Sequence, residues 1–330
     1  MKSGILVVGA GMAGATCARY LRDAGYRVAV VDKGRGPGGR MSTRRMDAVR
    51  FDHGAPGFAA RSPAFREVVE GWIAEGSVVS WHPVPPAVGS CNIENQFVGR
   101  PSMNRIIQQA LDGMSVRFNT TVTSVEYAAG QFRVGFQGAE SREPYDAIVV
   151  AIPAPQAAQM LTAFPALASE LGAIKMRPRW VSMVSFSRPL DTEREAFVWD
   201  NIEGSSLGSA WRDSAKPGRD GGELWTLQST PEFSEAMFDA TPDAIAARLL
   251  RDFRLHSALE LPSLILNIAH RWRYAVVATP AGKPCVIHDS LPLIAAGDWC
   301  LGPCVEDAWN SGRNAAQAMA ELLVHRARTA

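Results

Sequence analysis

Of 330 residues only five are cysteine, and no two are spaced C-x-x-C. They fall at 17, 91, 285, 300 and 304. An odd, scattered set does not make a disulfide framework and fits a reducing compartment. Long apolar runs are also missing: no stretch reaches the ~18–20 residues that a membrane span needs. The opening segment is apolar, but a single Lys precedes the apolar run and regular glycines break it, so no signal peptide is expected. Excess charge of either sign is absent. Lys and Arg number 34, Asp and Glu 33, and the net charge is +1, which excludes a bulk pull toward nucleic acid or anionic membrane. The chain has no internal repeat, no low-complexity segment, no Ser/His/Asp arrangement and no cluster of metal-ligand spacing, so no metal is expected. Lysine is scarce, at 2, 33, 175, 216 and 283. Lys216 in "AKPGR" and Lys283 in "AGKP" read as turn residues.

What remains is a chain of ordinary globular composition, 47% hydrophobic and 20% charged, expected in the cytoplasm. Its length suits two domains, or one α/β unit with an inserted lobe. "GILVVGA" (Gly4–Ala10) is a continuous apolar run, as in a parallel strand buried on both faces. A helix is expected from Met12 to Ala24 with Gly25 just past its end, then a second strand over Tyr26–Asp32. "KGRGPGGR" (Lys33–Arg40) is a loop by composition. A short strand is expected in Val49–Phe58, ending at Gly54. Pro101 and Ser102 open an expected helix whose apolar set is Met103, Ile106, Ile107, Ala110 and Leu111. "SVRFNTTVTSVEYAAGQFRVGF" reads as successive antiparallel strands with a turn near Ala129–Gly130. Buried strands are expected again over Tyr145–Pro153 and Leu291–Trp299, the last followed by a helix to the C-terminus. The domain division expected from this order is 1-72, 97-153 and 290-330 for a discontinuous nucleotide-binding domain, with 73-96 and 154-289 forming the substrate domain.

"GAGMAG" sets Gly9, Gly11 and Gly14 as G-x-G-x-x-G between a strand and a helix. The first glycine allows the tight turn, the second lets backbone approach a pyrophosphate, and the third lets helix and strand pack closely. The backbone from Gly11 through Met12 and Ala13 opens the helix, where unbonded N–H groups and the macrodipole favour an anion. Asp32 ends the next strand about 20 residues on, placed to accept from a ribose hydroxyl. Directly after it come Lys33, Arg35, Gly39 and Arg40, a second glycine-rich loop suited to wrapping a dinucleotide longer than NAD.

These stretches resemble the FAD-dependent amine oxidase superfamily: "VVGAGMAG", an acid closing the second strand, "GRGPGGR" and "GD…VEDAWNSGRNAA". Within it the chain is most similar to the renalases, particularly the bacterial ones. That likeness is carried by "GPGGRMSTRR", "FDHGAPGF", "FVGRPSMNRIIQQAL", "SAKPGR" and "HRWRYA", and it covers essentially the whole chain. The resemblance implies an α/β, p-hydroxybenzoate-hydroxylase-like fold: a Rossmann-type FAD-binding domain with a mixed-sheet substrate domain inserted. It also implies non-covalent FAD and oxidation of 2- or 6-dihydro isomers of NAD(P)H to NAD(P)⁺, with O2 reduced to H2O2. Carried over residue by residue, it assigns Gly9, Gly11, Gly14 and Asp32 to the ADP half. Arg35, Arg40, Met41 and Ser42 fall at the diphosphate and flavin, and the Val122 main chain at the adenine. Gly297 and Asp298 fall at the ribityl–diphosphate region, and the Val305 N–H at the flavin pyrimidine. Gly54 and Ala55 would pass close to the ring, where a larger side chain would collide.

A dihydronicotinamide gives up hydride readily because the product is aromatic, so the protein must supply FAD, a flat slot and a positive field rather than a base. The helix opening at Pro303–Val305 is the expected source of that field. The substrate-slot candidates are His53, His270, Trp272, Arg273, Tyr274 and His288. Strand alternation puts Trp272 and Tyr274 on one face and Arg273 on the other. Two other functions stay open: a flavin amine oxidase or desaturase acting on a small amine or apolar substrate, and a non-catalytic FAD-binding protein. The C-x₃-C pair Cys300 and Cys304 has too few ligands for zinc; a redox role for it stays open, since Cys304 sits at a helix start that would lower its pKa.

Overall fold

The structure, a computed structural model, describes residues 4–47, 49–84, 96–140, 144–199, 202, 204–219 and 221–329. Cys91 and Lys2 of the sequence reading lie outside the described residues. Contacts divide the chain into two compact units, one of Met1–Gly39, Ile107–Met176 and Val277–Ala330, the other of Arg40–Ile106 and Arg177–Val276. These are divisions by packing, whereas the boundaries drawn from the sequence are divisions by expected function. The segments 40–72, 97–106, 154–176 and 277–289 are grouped differently in the two.

The first unit holds a six-stranded sheet in the order Val286–Ile287, Leu293–Ala295, Ala147–Val150, Gly4–Val8, Arg27–Val31, Ser115–Arg117. Its pairs are parallel except at the Val286–Ile287 edge. Gly4–Val8 is central and buried throughout, which is why it reads as one apolar run with no alternation. The Met12–Asp23 helix follows it, and Gly25 at φ +85 ends that helix in the left-handed region. The three-residue strand Ser115–Arg117 corrects the sequence expectation: it joins this parallel sheet rather than an antiparallel run. Asn119 at φ +51 turns the chain away after it. The antiparallel sheet begins at Val122–Ala128, whose two-residue loop to Gln131–Phe136 has positive φ at both Ala129 and Gly130, the tight hairpin geometry that matches strand twist. The core between these layers includes Leu6, Val122, Phe132, Ile148, Leu161 and Trp299.

The second unit is built on a five-stranded sheet in the order Ala196–Val198, Leu207–Arg212, Glu223–Ser229, Met176–Phe186, Leu264–Val277. The Pro242–Ser257 helix, capped by the Thr241 hydroxyl, buries Ile245, Leu249 and Phe253 against Trp180, Val184, Trp225 and Leu227. Alternation along the strands sends their other side chains to the opposite face, where Met183 and Leu224 cluster with Phe51.

Three further sequence expectations need adjustment. Regular strand ends at Phe51, not near Gly54. The helix expected from Pro101 spans only Arg105–Ala110, and the Met103 N–H ahead of it donates to Thr43 Oγ1 at 3.1 Å and Asp52 Oδ1 at 3.2 Å. The last strand is Leu293–Ala295, and Asp298–Cys300 is a single 3₁₀ turn ahead of the long Val305–Thr329 helix.

Candidate functional site

In the first unit the glycine loop has the geometry its spacing demands. A Cβ at Gly14 would lie 1.9 Å from the Gly9 carbonyl oxygen, and one at Gly9 would lie 2.4 Å from that of Ala151. Both glycines are therefore required by backbone packing. Gly11 differs: a Cβ there meets nothing within 4 Å. Gly11 is the N-cap of the helix and makes no side-chain cap, and the first turn carries no acid. The first amides, at Met12 and Ala13, thus open beside free space, the cradle that a diphosphate would fill.

Asp32 is positioned by two amides. Its Oδ2 accepts from Ala10 N at 2.7 Å and its Oδ1 from Gly34 N at 2.6 Å. A carboxylate has about four acceptor sites, so two remain for ribose hydroxyls. The second glycine loop docks on the first: Gly38 N donates to the Ala10 carbonyl at 2.9 Å, and Gly39, at φ +52, brings its Cβ position to 3.5 Å from Gly11 Cα. Lys33 and Arg35 are exposed. Val122 keeps its side chain in the core. Residues of this kind fit the adenosine and diphosphate portion of FAD.

Toward the C-terminus, Asp298 is buried and its carbonyl accepts from Leu301 and Gly302. The Gly297 amide donates to Ser311 Oγ at 2.9 Å, and a Cβ at Gly297 would meet the Trp299 indole at 2.2 Å. The long helix begins at Val305 with Glu306 and Asp307 in its first turn, and Asp307 Oδ2 accepts from Cys304 N at 2.9 Å. Two carboxylates there offset part of the helix-end field that the sequence reading relied on. None of the four described cysteines is in a disulfide. Burial pushes the Cys300 thiol up to about 12, which leaves it a poor nucleophile.

In the second unit, each residue of Asp52–Ala55 is held separately. Asp52 Oδ1 accepts from Thr43 Oγ1 at 2.6 Å. The His53 carbonyl accepts from Trp272 Nε1 at 2.8 Å, the Gly54 carbonyl accepts from Gln228 Nε2 at 2.7 Å, and Ala55 N donates to the Arg40 carbonyl at 2.9 Å. A Cβ at Gly54 would stand 1.9 Å from that same Arg40 oxygen. The chain's own backbone therefore requires glycine here, whatever else passes the loop. Arg40 also donates to the Ala275 carbonyl at 3.2 Å, and Met41 is buried.

Three of the substrate-slot candidates come together. The His53 ring lies 5.2 Å from that of His270 and 5.0 Å from Trp272, and His270 lies 4.8 Å from Trp272. Burial, with His270 and Arg44 adding to it, holds the His53 imidazole down at about 4. Burial and then Arg44 lower His270 as well. Both rings are neutral at pH 7. The Ser42 backbone bonds one His53 nitrogen, while Nδ1 is enclosed with no partner among the described residues. Arg273 is not in this group. It is exposed, with its guanidinium 5.0 Å over the Phe238 ring, as alternation requires. His288 lies in the first unit, its ring 5.5 Å from Phe164 and its Nδ1 accepting from Ser290 N at 3.2 Å. Tyr274 is half-buried on the same strand.

Reading Lys216 as an ordinary turn residue misses its role. Arg219 N bonds the Lys216 carbonyl, and Gly218 at φ +74 follows Pro217, which makes "KPGR" a type II turn. The two turn ends lie close enough for both side chains to reach one acid. Lys216 Nζ lies 3.2 Å and Arg219 Nη2 2.6 Å from Asp52 Oδ2, and Lys216 also reaches Asp213 Oδ1 at 2.6 Å. Burial alone would raise Asp52; Lys216 and Arg219 more than offset it and hold the carboxyl well below the usual range. For Asp213 burial prevails and the shift is upward. The available signal was two cations flanking Pro-Gly, a spacing that converges them on one partner. Among the described residues no three His, Cys, Asp or Glu side chains stand together as a metal set, and no helix is long and apolar enough to cross a membrane.

Residues 7–72 match the family described as NAD(P)-binding Rossmann-like domain, and residues 92–320 match the flavin containing amine oxidoreductases. Among solved structures the chain is similar to an Exiguobacterium sp. 255-15 protein described as a candidate protoporphyrinogen oxidase. The TM-score is 0.76 at 12% identity, over 97% of this chain and 99% of that one. It is also similar to a putrescine oxidase bound to putrescine, at TM-score 0.70 and 11% identity over the same shares. At such identities the likeness is one of fold.

Proposed function

The chain belongs to the flavin-containing amine oxidoreductase family and is a FAD-dependent oxidoreductase, and from that premise we propose that it oxidises 2- or 6-dihydro isomers of NAD(P)H to NAD(P)⁺. FAD is held non-covalently and takes the hydride; O2 is the final acceptor and leaves as H2O2. The observation that carries this reading is the His53–His270–Trp272 group beside Gly54. It offers flat, uncharged surfaces and no ionised base. A dihydropyridine needs nothing more, since hydride loss itself creates the aromatic ring.

Two further features support it. The renalase-like stretches "DHGA" and "KPGR" are joined by the Asp52–Lys216–Arg219 ion cluster, which gives their occurrence in one chain a physical reason. Many amine oxidases use a lysine to hold a water beside the flavin; here Lys216 spends its ammonium on two buried acids, and Lys283 pairs with Glu170. In this reading Gly9, Gly11, Gly14 and Asp32 hold the ADP half, Gly297, Asp298 and Val305 serve the ribityl chain and ring, and the substrate domain comprises 73-96 and 154-289. The proposed location is the cytoplasm.

Anaerobic mixing of the flavin-loaded protein with 6-dihydro-NAD tests the reading. Rapid bleaching of the flavin absorbance is expected. Bleaching by amines alone would replace it with amine oxidation, and bleaching by neither with a non-catalytic flavin-binding role.

A further inference from the structure

One face of the second unit's sheet carries a cation for which no ion pair is seen among the described residues. Residues two apart share a strand face. Met183 and Leu224 cluster with Phe51, and Leu266 and Ile268 pack against them. Arg179 therefore shares a face with Met183, and His270 and Trp272 share it with Leu266 and Ile268. The opposite parity agrees, since Ser182 bonds Asn267 and Arg271 lies over Trp180 on the other face. Arg179 thus stands on the face that holds the imidazole–indole group.

Its guanidinium is half-buried. Nη1 donates to Gln228 Oε1 at 3.3 Å, and Gln228 in turn donates to the Gly54 carbonyl. Arg179 is therefore one side chain away from the loop that carries His53. Its Nε is enclosed and has no partner among the described residues. Of the neighbouring acids, Glu232 acts on Arg179 through its charge, but Glu232 and Glu235 accept their hydrogen bonds from Arg177, at 2.9 and 2.6 Å. Enclosing a guanidinium without a hydrogen-bonded anion is costly, and Arg44 adds positive potential that bears on both His53 and His270. A fork of N–H donors suits an oxyanion, which it bonds with charge assistance.

We propose that Arg179 is the receptor for an anionic group of the substrate, the diphosphate of a dinucleotide on the reading given above, on which this inference rests. A cationic amine would be repelled from the same face.

Two measurements on the flavin-loaded protein separate this inference from that reading. In the first, inorganic pyrophosphate is titrated calorimetrically into native, Arg179→Gln and Arg179→Lys proteins. Binding to the native protein is expected to weaken by about tenfold or more in Arg179→Gln, with partial recovery in Arg179→Lys. Equal binding by all three, or none by the native protein, overturns the site. In the second, 6-dihydro-NAD is compared with the phosphate-free 6-dihydronicotinamide riboside. Arg179→Gln is expected to raise the concentration of dinucleotide needed for half-maximal flavin reduction and to leave the riboside unaffected. An equal effect on both overturns the anion contact. If neither compound reduces the flavin, the proposed reaction fails while the pyrophosphate result still decides the site. An unchanged flavin spectrum and melting temperature in Arg179→Gln confirm that the variant is folded.

Discussion

Lys216 Nζ lies 3.2 Å from Asp52 Oδ2, and neither side chain is reached by water. The pair joins the Lys216–Arg219 turn to the loop that holds His53. Removing one partner of such a pair leaves a buried charge, which costs about 3–5 kcal/mol. Lys216→Met is expected to lose that much in urea unfolding. Asp213, whose pKa is already raised by burial, binds protons more tightly folded than unfolded, so its contribution favours the folded state at low pH and fades as pH rises through the folded pKa. The variant should therefore be less destabilised at pH 5 than at pH 8. Lys216→Met combined with Asp213→Leu should recover part of the loss; no recovery would mean that the two side chains are not energetically coupled.

Gly11 and Gly14 separate folding from cofactor binding. Gly14→Ala forces a Cβ to within 1.9 Å of a carbonyl oxygen and should give little folded protein. Gly11→Ala has room and an ordinary φ of −85. It should fold and melt as the native apoprotein does, yet bind FAD about tenfold or more weakly, because the methyl group occupies the diphosphate's path. Flavin absorbance per protein and calorimetric FAD titration provide the readout. Undiminished FAD affinity in Gly11→Ala would remove the diphosphate from this loop.

His53 sets a pH dependence. Its folded pKa of about 4 lies below the ordinary value of about 6.5 for an unfolded histidine. Above pH 6.5 neither state holds the proton and no stability is lost. Between 6.5 and 4 the unfolded chain takes the proton first, so stability falls with pH, by on the order of 3 kcal/mol across the window. His53→Phe should flatten this part of the profile in chemical denaturation at pH 4 to 7. A profile parallel to the native one would place the titration elsewhere.

Cys300 is buried, with its thiol pushed up to about 12. It should resist alkylation at pH 8 until the protein is unfolded. Acid precipitation of the flavin-loaded protein should leave the flavin in the supernatant and a colourless pellet, as expected of a non-covalent cofactor. A yellow pellet would reveal a covalent bond that the cysteine geometry argues against.

The first unit was largely legible in the chain. Gly14 and Gly25 have roles set by local backbone sterics, and a buried parallel strand such as Gly4–Val8 announces itself by continuous apolarity. Short elements were harder to read. Ser115–Arg117 has too few residues to show whether it pairs parallel or antiparallel, and the Met103 amide is bonded by Thr43 and Asp52, side chains that only folding brings to it.

The slot candidates were sorted by tertiary position. His270 and Trp272 were brought to His53, Arg273 was turned to Phe238, and His288 was left in the other unit. By itself the sequence determined the close packing of Gly14 on Gly9 and the Ala129–Gly130 hairpin turn, because those depend on neighbours a few residues away. Only the tertiary structure decided that the turn residue Lys216 is a buried ion, and that the acids nearest Arg179 accept their hydrogen bonds from Arg177. The sign of a charge is written in the chain, but its compensation depends on side chains more than 100 residues apart, which folding alone brings within hydrogen-bonding distance.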